Sequence, residues 1–365
     1  MVGGSRDTPP RSPAPSERLL SGSAWRIRAY RPGDERALAT LWSATFGRVM
    51  TEEHWRWKLR GRPSVVDNVG IAVASDDTPI AQFGGIPCPA RILGATREVM
   101  VGVDVMTAPA YRRQGVFTAT ASSALERWRA AGVALVLGLA NDRWRGRADA
   151  LGYERVFPLR RLVRILRPDR VLARRLGFRL RVPGWSWNRR TQGEPTDASL
   201  EIRALTEPIP ALDALWERAS GEVAISLVRD RAWVAWRYFS SPVHPYQVTL
   251  AERAGTPVGY AAYAVVRGPK GTFVAVPEVF APTDSQAFAA LVRDVVARAR
   301  AEDADTVVTL AVPGTPSAHA LRQAGFWFTS HGWWLEVNRL DSAIPASALR
   351  DRRAWSVCGG DFDVI

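Results

Sequence analysis

The residues best suited to chemistry with an anion lie in the turn Tyr111-Arg112-Arg113-Gln114-Gly115-Val116-Phe117. Gly115 has no Cβ, so a phosphate can approach the backbone there. If a helix starts at this point, its unpaired N–H groups and positive dipole end face the same spot. Arg112 and Arg113 add charge beside it, and the whole reads as an anion nest. A second candidate is Asp104, a carboxylate inside the apolar run Met100–Met106 (MVGVDVM). Burial in such a run raises a carboxyl pKa and suits it to work as a general base. Glu98, at the start of the same region, is the weaker choice. Each feature also has a plainer reading: an ordinary turn with exposed arginines, and a structural cap or bridge. Cys88 and Cys358 lack metal spacing and a neighbouring His, which argues against a thiol nucleophile and a metal site. His54, His244, His319 and His331 are scattered and each reads first as a surface or satisfied histidine, although His54, just before Trp55 and Trp57, could sit near substrate.

These residues need elements to hold them. Met100–Met106 has the β-branched content of a buried strand, ended at Thr107-Ala108-Pro109 because Pro109 lacks a ladder donor. From Phe117 the pattern turns helical, with Phe117, Ala121, Ala124, Leu125 and Trp128 on one face and Gly132 as the stop. Val133–Leu139 then reads as a strand. The turn with Gly115 therefore joins a strand to a helix N-terminus.

An internal repeat organises the rest. IRAYRPGDERALATLW (27–42) is matched by IRALTEPIPALDALW (202–216), each a short strand and a helix ending in Trp. Trp57-Lys58-Leu59 with Pro63 is matched by Trp236-Arg237-Tyr238 with Pro242. Two hairpin-like turns follow, at Asp76-Asp77-Thr78-Pro79 and Ala254-Gly255-Thr256-Pro257. Leu151-Gly152-Tyr153 parallels Ala324-Gly325-Phe326. This order of markers predicts an α+β (mixed α/β) fold of two like domains, each a mixed, mostly antiparallel sheet flanked by helices. The expected boundaries are a disordered lead-in over 1–23, a first domain over 24–166 and a basic connector over 167–199. A second domain over 200–341 and a tail over 342–365 complete the chain. Within the connector, Asp169–Leu176 reads as a helix and FRLRV (178–182) as a strand.

With these residues in place, the first copy resembles the GNAT acyltransferase superfamily, whose diphosphate turn reads Arg/Gln-x-x-Gly-x-Gly/Ala. Arg112, Gly115 and Phe117 fall on its three defining positions, and A-P-x-Y-R-R before them is similarly characteristic. Phe117 departs from Gly/Ala, so its ring has to turn away from the coenzyme. The resemblance implies an acyl-CoA site, with acetyl-CoA as the expected donor. Arg112, Arg113, Gln114, Gly115, Val116 and Phe117 would cradle the diphosphate, and the backbone of Val103–Val105 would pair with the pantetheine arm. Asn141 would lie near the end of that arm. It also implies direct transfer from the thioester to a small-molecule or sugar-type acceptor, amine or hydroxyl; such chemistry needs a proton acceptor, for which Asp104 is the first candidate. Many relatives carry a Tyr acid where this chain has Ala148, so thiolate protonation falls to solvent or the neighbourhood of Trp144. The second copy, PEVFAPTDSQAFAALV, has neither Arg pair nor Gly, and Asp284 is set to cap its helix. The resemblance therefore implies one coenzyme site, in the first of two tandem GNAT-like domains, with the second degenerate.

Composition limits the other classes. The chain has 365 residues and a net charge of +13, which first suggests nucleic acid. Against that, the cations are 47 Arg and 2 Lys (Lys58, Lys270), a bias of a GC-rich coding preference. Residues 155–190 hold 12 Arg against one acid, Asp169, so the charge is concentrated in one segment. That segment keeps an anionic membrane surface or polyanion as an alternative partner, although its arginines interleave with apolar strand positions. No run of eighteen apolar residues exists, so no membrane span is expected. Two cysteines that could form at most one bridge, and no leader pattern, suit the cytoplasm. A non-catalytic scaffold with a retained fold is a further alternative, and a two-domain aminoacyl-tRNA-dependent transferase of the Fem type is disfavoured by the CoA-type turn. The tail contains Asp361-x-Asp363, a pattern that elsewhere holds a metal-bound sugar nucleotide and resembles the ending of certain tandem GNAT proteins of bacterial surface polysaccharides. The tryptophans Trp55, Trp57, Trp233 and Trp236 recur in both copies, which favours the core over sugar stacking.

Overall fold

A computed structural model describes residues 24–64, 66–140, 144, 146–176, 199–269 and 271–363, with the side chains of Ala140 and Arg175 outside that set. The lead-in over 1–23, Asn141 and the strand expected at 178–182 lie outside the described residues.

The first half runs β1 (Trp25–Arg28), α1 (Asp34–Phe46), α2 (Glu52–Arg60), β2 (Val69–Ala74), β3 (Pro79–Ile92), β4 (Ala95–Thr107), α3 (Val116–Ala130), β5 (Leu135–Ala140) and β6 (Tyr153–Ile165). Helix α4 (Pro168–Leu176) follows. The second half runs β7 (Leu200–Leu205), α5 (Ala211–Ser220), β8 (Ile225–Leu227), α6 (Arg231–Val234), β9 (Gln247–Arg253), β10 (Thr256–Gly268), β11 (Gly271–Phe280), α7 (Ser285–Ala301), β12 (Thr306–Ala311), α8 (Pro316–Gln323), β13 (Trp327–Arg339) and α9 (Ala346–Arg350). The hairpin turns form as their residues require, with left-handed backbone at Asp77 (φ 69°), Ala254 (φ 47°) and Gly255 (φ 75°). Among the described residues no helix is long and apolar enough to cross a membrane.

The sequence reading gives each copy its own sheet, and here the structure differs. The strands form one continuous sheet in the order β1-β2-β3-β4-β5-β13-β6-β12-β11-β10-β9-β7, with β8 beside β3. The closing strands are exchanged. Strand β13 pairs antiparallel with β5, from Arg339 opposite Leu135 to Trp334 opposite Ala140. Strand β6 pairs antiparallel with β12 in the reciprocal register, from Ile165 opposite Thr306 to Arg160 opposite Ala311. β6 and β13 then pair with each other at the centre. The physical gain is that neither β5 nor β12 is left as an open edge.

A second reciprocal contact lies between the helical layers. The indole N–H of Trp57 donates to the Trp236 carbonyl and that of Trp236 to the Trp57 carbonyl, both at 3.0 Å. Their rings stack with centroids 5.2 Å apart. Residue i meeting j as j meets i is the mark of a two-fold relation. One apolar cluster continues through both halves, taking in Trp42, Trp55, Trp57, Trp216, Trp233, Trp236 and Trp355. The tryptophans of the repeat are core, not exposed platforms.

Candidate active site

Strands β4 and β5 are parallel neighbours only where Val99–Val101 face Leu135–Leu137. Beyond that they do not pair, and β5 keeps only β13 as its partner. The gap opens into a cleft of about 840 Å³. Its walls include Gly102–Thr107 of β4, Gly138 and Leu139 of β5, and Trp42 and Phe46 of α1. With no β5 partner beyond Val101, the facing backbone edge of β4 is open to an extended ligand, which is what Val103–Val105 were expected to offer.

At one end of the cleft stands the N-terminus of α3. Its cap is Gly115 at φ 77°, with no side chain closing the first turn. Arg113, two residues before the cap, is also left-handed (φ 63°). Arg112 is steered by its Nε donating to the Thr107 carbonyl at 3.1 Å. Arg112, Arg113, Gly115, Val116 and Phe117 all line the cleft. Gln114 is directed elsewhere, its amide donating to the Ala110 carbonyl at 2.8 Å. Phe117 does not turn away as the sequence comparison requires. Its ring lies edge-on to Trp144 (5.8 Å) with the Arg147 guanidinium above it (5.7 Å), so it forms wall. Arg147 brings a further cation to this end.

Asp104 lines the same cleft. A bulge sets Asp104 and Val105 together opposite Phe83, and Asp104 takes φ 52°. Such a bulge re-aims a side chain. The Asp104 carbonyl is held by the Gln82 amide (3.2 Å), itself fixed by the Trp55 indole (2.9 Å). Instead of the apolar shell expected from sequence, the Asp104 carboxylate meets two donors. The Trp42 indole N–H reaches one oxygen at 2.7 Å, and the Lys58 ammonium lies 3.2 and 3.1 Å from the two oxygens. Lys58 is fully buried and pairs on its other side with Asp363 of the C-terminal tail. Burial disfavours its charge, but the two carboxylates outweigh that and raise its pKa. Burial likewise pushes the Asp363 carboxyl up, and Lys58, then Arg237 and His54, bring it below the usual carboxylate value.

Other sequence candidates separate from this site. Glu98 sits at the far end of β4, outside the cleft, its carboxyl raised by burial. The Cys88 thiol is buried and pushed up to about 12, and Cys358 is raised likewise, so neither is a ready nucleophile. His54 is not among the residues lining the cleft; burial and Lys58 hold its pKa down. The Asp361-x-Asp363 carboxylates meet Arg229 and Lys58 rather than a common point. Among the described residues no group of three His, Cys, Asp or Glu is placed to hold a metal. In the basic segment, Arg155 pairs with Glu336, Arg167 with Asp169 and Asp303, and Arg170 and Arg174 with Asp305.

Sequence reasoning did not bring Lys58 to Asp104, or Asp363 and Tyr153 to the cleft. Tyr153 lines the cleft beside Trp144, at 5.5 Å edge-on. Burial, with Glu336 nearby, raises its pKa, so the phenol is neutral. Lys58 did carry a signal: it is one of two lysines in a chain of 47 arginines. A compact ammonium fits between two carboxylates where a planar guanidinium fits differently.

Comparison with known proteins bears on the fold. A family model described as an acetyltransferase (GNAT) domain matches residues 26–155. The fold resembles a GCN5-related N-acetyltransferase from Anabaena variabilis ATCC 29413 (TM-score 0.63, 13% identity), covering 87% of this chain and 73% of that one. A conserved protein of unknown function from Enterococcus faecalis V583 is similar over the same shares, 87% and 73% (TM-score 0.64, 12% identity). A GCN5-related N-acetyltransferase from Kribbella flavida matches over 86% of this chain and 70% of its own (TM-score 0.59, 18% identity). No curated protein matches the sequence. A GNAT acetyltransferase domain is thus matched over residues 26–155, and the chain shares its fold with proteins described as GCN5-related N-acetyltransferases.

Proposed function

We propose that this protein is an acyl-CoA-dependent N- or O-acyltransferase, with acetyl-CoA as donor and a small-molecule or sugar-type acceptor. The observation that carries this is the uncapped N-terminus of α3, with Arg112 and Arg113, opening onto the cleft between β4 and β5. Free N–H groups and a helix dipole at one end suit a diphosphate. The open edge of β4 suits an extended amide chain at the other. The cradle comprises Arg112, Arg113, Gly115, Val116 and Phe117, with Gln114 bracing the turn. Val103–Val105 supply the edge, and Asn141 is assigned to the inner end on the resemblance alone. Asp104 is the carboxylate at the reacting centre, and Tyr153 is the neutral phenol able to return a proton to the leaving sulfur. The second half is a degenerate copy that keeps the fold without the coenzyme site. Its α7 N-terminus supports that reading: Asp284 occupies it, accepting the Ala287 N–H at 2.8 Å.

The test is the double substitution Arg112→Ala/Gly115→Glu, which removes a cation and places a carboxylate where the diphosphate would sit. Calorimetry with acetyl-CoA is expected to show binding weakened by at least about 100-fold, roughly 2.7 kcal/mol. Binding equal to wild type would sink the site assignment.

A further inference from the structure

We propose that the tail Asp361-Phe362-Asp363 divides into an anchor and a working group: Asp361 fixes the tail to the second half, and Asp363 is a catalytic carboxylate delivered into the cleft of the first. The inference rests on the acyltransferase reading and adds to it a residue from outside the matched domain.

Anchoring comes first. Both Asp361 oxygens face one Arg229 nitrogen, at 2.7 and 2.9 Å, and one of them accepts the Cys358 N–H at 2.9 Å. Arg237 donates to the carbonyls on either side of the next step, Gly360 and Phe362, both at 2.8 Å. Phe362 is buried. The chain is therefore fixed up to the residue before Asp363, and the carboxylate arrives with little conformational freedom left to lose.

Placement comes second. Phe362 and Asp363 both line the cleft that holds Asp104 and the open edge of β4. Lys58 joins the two carboxylates, but they are not alike. The Asp104 side chain is 6% exposed and already takes the Trp42 indole; that of Asp363 is 36% exposed. Asp363 is the one an incoming nucleophile can reach. With Lys58 and Arg237 holding it ionised, Asp363 is in the form that can accept a proton. Lys58 is a positioning residue: it holds Asp363 ionised and aimed.

The step balances as follows. The acceptor nitrogen or oxygen attacks the thioester carbon, its bond to that carbon forms, and the carbon–sulfur bond breaks. Asp363 takes the proton of the attacking N–H or O–H. The Tyr153 phenol gives one to the departing sulfur, and solvent returns it as Asp363 releases its own.

The test uses the full chain, acetyl-CoA, and water as acceptor, so that thiol release by slow hydrolysis is the readout, with calorimetric binding alongside. Asp363→Asn is expected to bind acetyl-CoA within about 2-fold of wild type and to release thiol about 10²- to 10⁴-fold more slowly. The acidic limb of the wild-type rate profile should lie below the ordinary carboxylate range and vanish in Asp363→Asn. The other charged or titratable groups around Asp363 are Lys58, Asp104 across it, Arg237, His54, His244 and Tyr246. Asp363→Glu should restore part of the rate and the limb. An Asn variant that turns over like wild type overturns the proposal. So does loss of folding and binding together in the Asn and Glu variants, which marks a structural role. Wild type that binds acetyl-CoA yet releases thiol no faster than buffer also overturns it. Wild type that does not bind acetyl-CoA overturns the coenzyme reading beneath it.

Discussion

Each half of the molecule sets a buried cation between a carboxylate of its own sheet and a carboxylate of the tail. In the second half Arg229 lies between Glu278 and Asp361; in the first, Lys58 lies between Asp104 and Asp363. The second group is sealed, with side-chain exposures of 1%, 1% and 2% for Arg229, Glu278 and Asp361. Glu278 is further saturated by the Trp233 indole at 3.2 Å and by the Tyr238 hydroxyl. The first group opens on a cleft through Asp363. The helix N-termini differ in the same sense, since Gly115 leaves α3 open and Asp284 fills that of α7. One arrangement thus serves as a clamp where water is excluded and as a site where a ligand can enter. A charge group with every partner satisfied inside protein is spent on structure; one with a partner facing a cavity retains a reactive face.

The largest effect should come from breaking the sealed group. Arg229→Met leaves Glu278 and Asp361 buried without their shared cation, which costs about 3–5 kcal/mol by analogy with other buried pairs. Urea unfolding should register that loss, while Asp363→Asn, at the open group, should move stability by no more than about 1 kcal/mol. If the two variants unfold alike, the division into clamp and site is wrong.

How much of this contrast the sequence carried depends on the distance over which each contact acts. The turn before α3 was legible because Arg112, Gly115 and the helix that follows are neighbours in the chain, and local backbone rules govern them. The Asp284 cap was legible for the same reason. Trp57 and Trp236 were matched as repeat markers, but that they would touch was not, since periodicity identifies the buried face and not its partner. The exchange of β6 and β13 escaped for a related reason: alternation sets which side chains face inward and is silent on which strand lies alongside. Lys58 and Asp363 are 305 positions apart, and only the rarity of lysine hinted at the former. The surroundings of Asp104 were misjudged because an apolar run specifies its own strand, whereas Trp42 and Lys58 come from α1 and α2.

A smaller effect tests whether the two halves are related by a dyad through the Trp57–Trp236 pair. Trp57→Phe and Trp236→Phe each remove one indole N–H and leave one carbonyl without its donor, costing about 1 kcal/mol apiece. Because the two hydrogen bonds have the same 3.0 Å length and mirror each other, the single costs should match within about 0.5 kcal/mol. The double variant should depart from additivity, because each ring is the other's stacking partner. Unequal single costs with strict additivity would show that the reciprocity is geometric only.

The smallest effect concerns α7. Asp284 accepts the Ala287 N–H at 2.8 Å and pairs with Arg253 at 2.9 Å. Burial raises its pKa, but the Ala287 N–H and Arg253 outweigh burial and leave it below the ordinary carboxyl value. Asp284→Ala should therefore cost about 1 kcal/mol at neutral pH. A depressed folded-state pKa stabilises fully above the unfolded value and is lost as pH falls through the folded one. The unfolding curves of wild type and variant should accordingly converge in acid. A gap that stays constant with pH would mean that the cap acts through packing rather than charge. The same variant bears on the comparison of helix ends. Clearing the carboxylate from α7 supplies no glycine and no arginine pair, because Pro282 and Thr283 precede it. Acetyl-CoA titration should therefore still give one site per chain. A second site appearing in Asp284→Ala would mean that the carboxylate alone separates the coenzyme half from its counterpart.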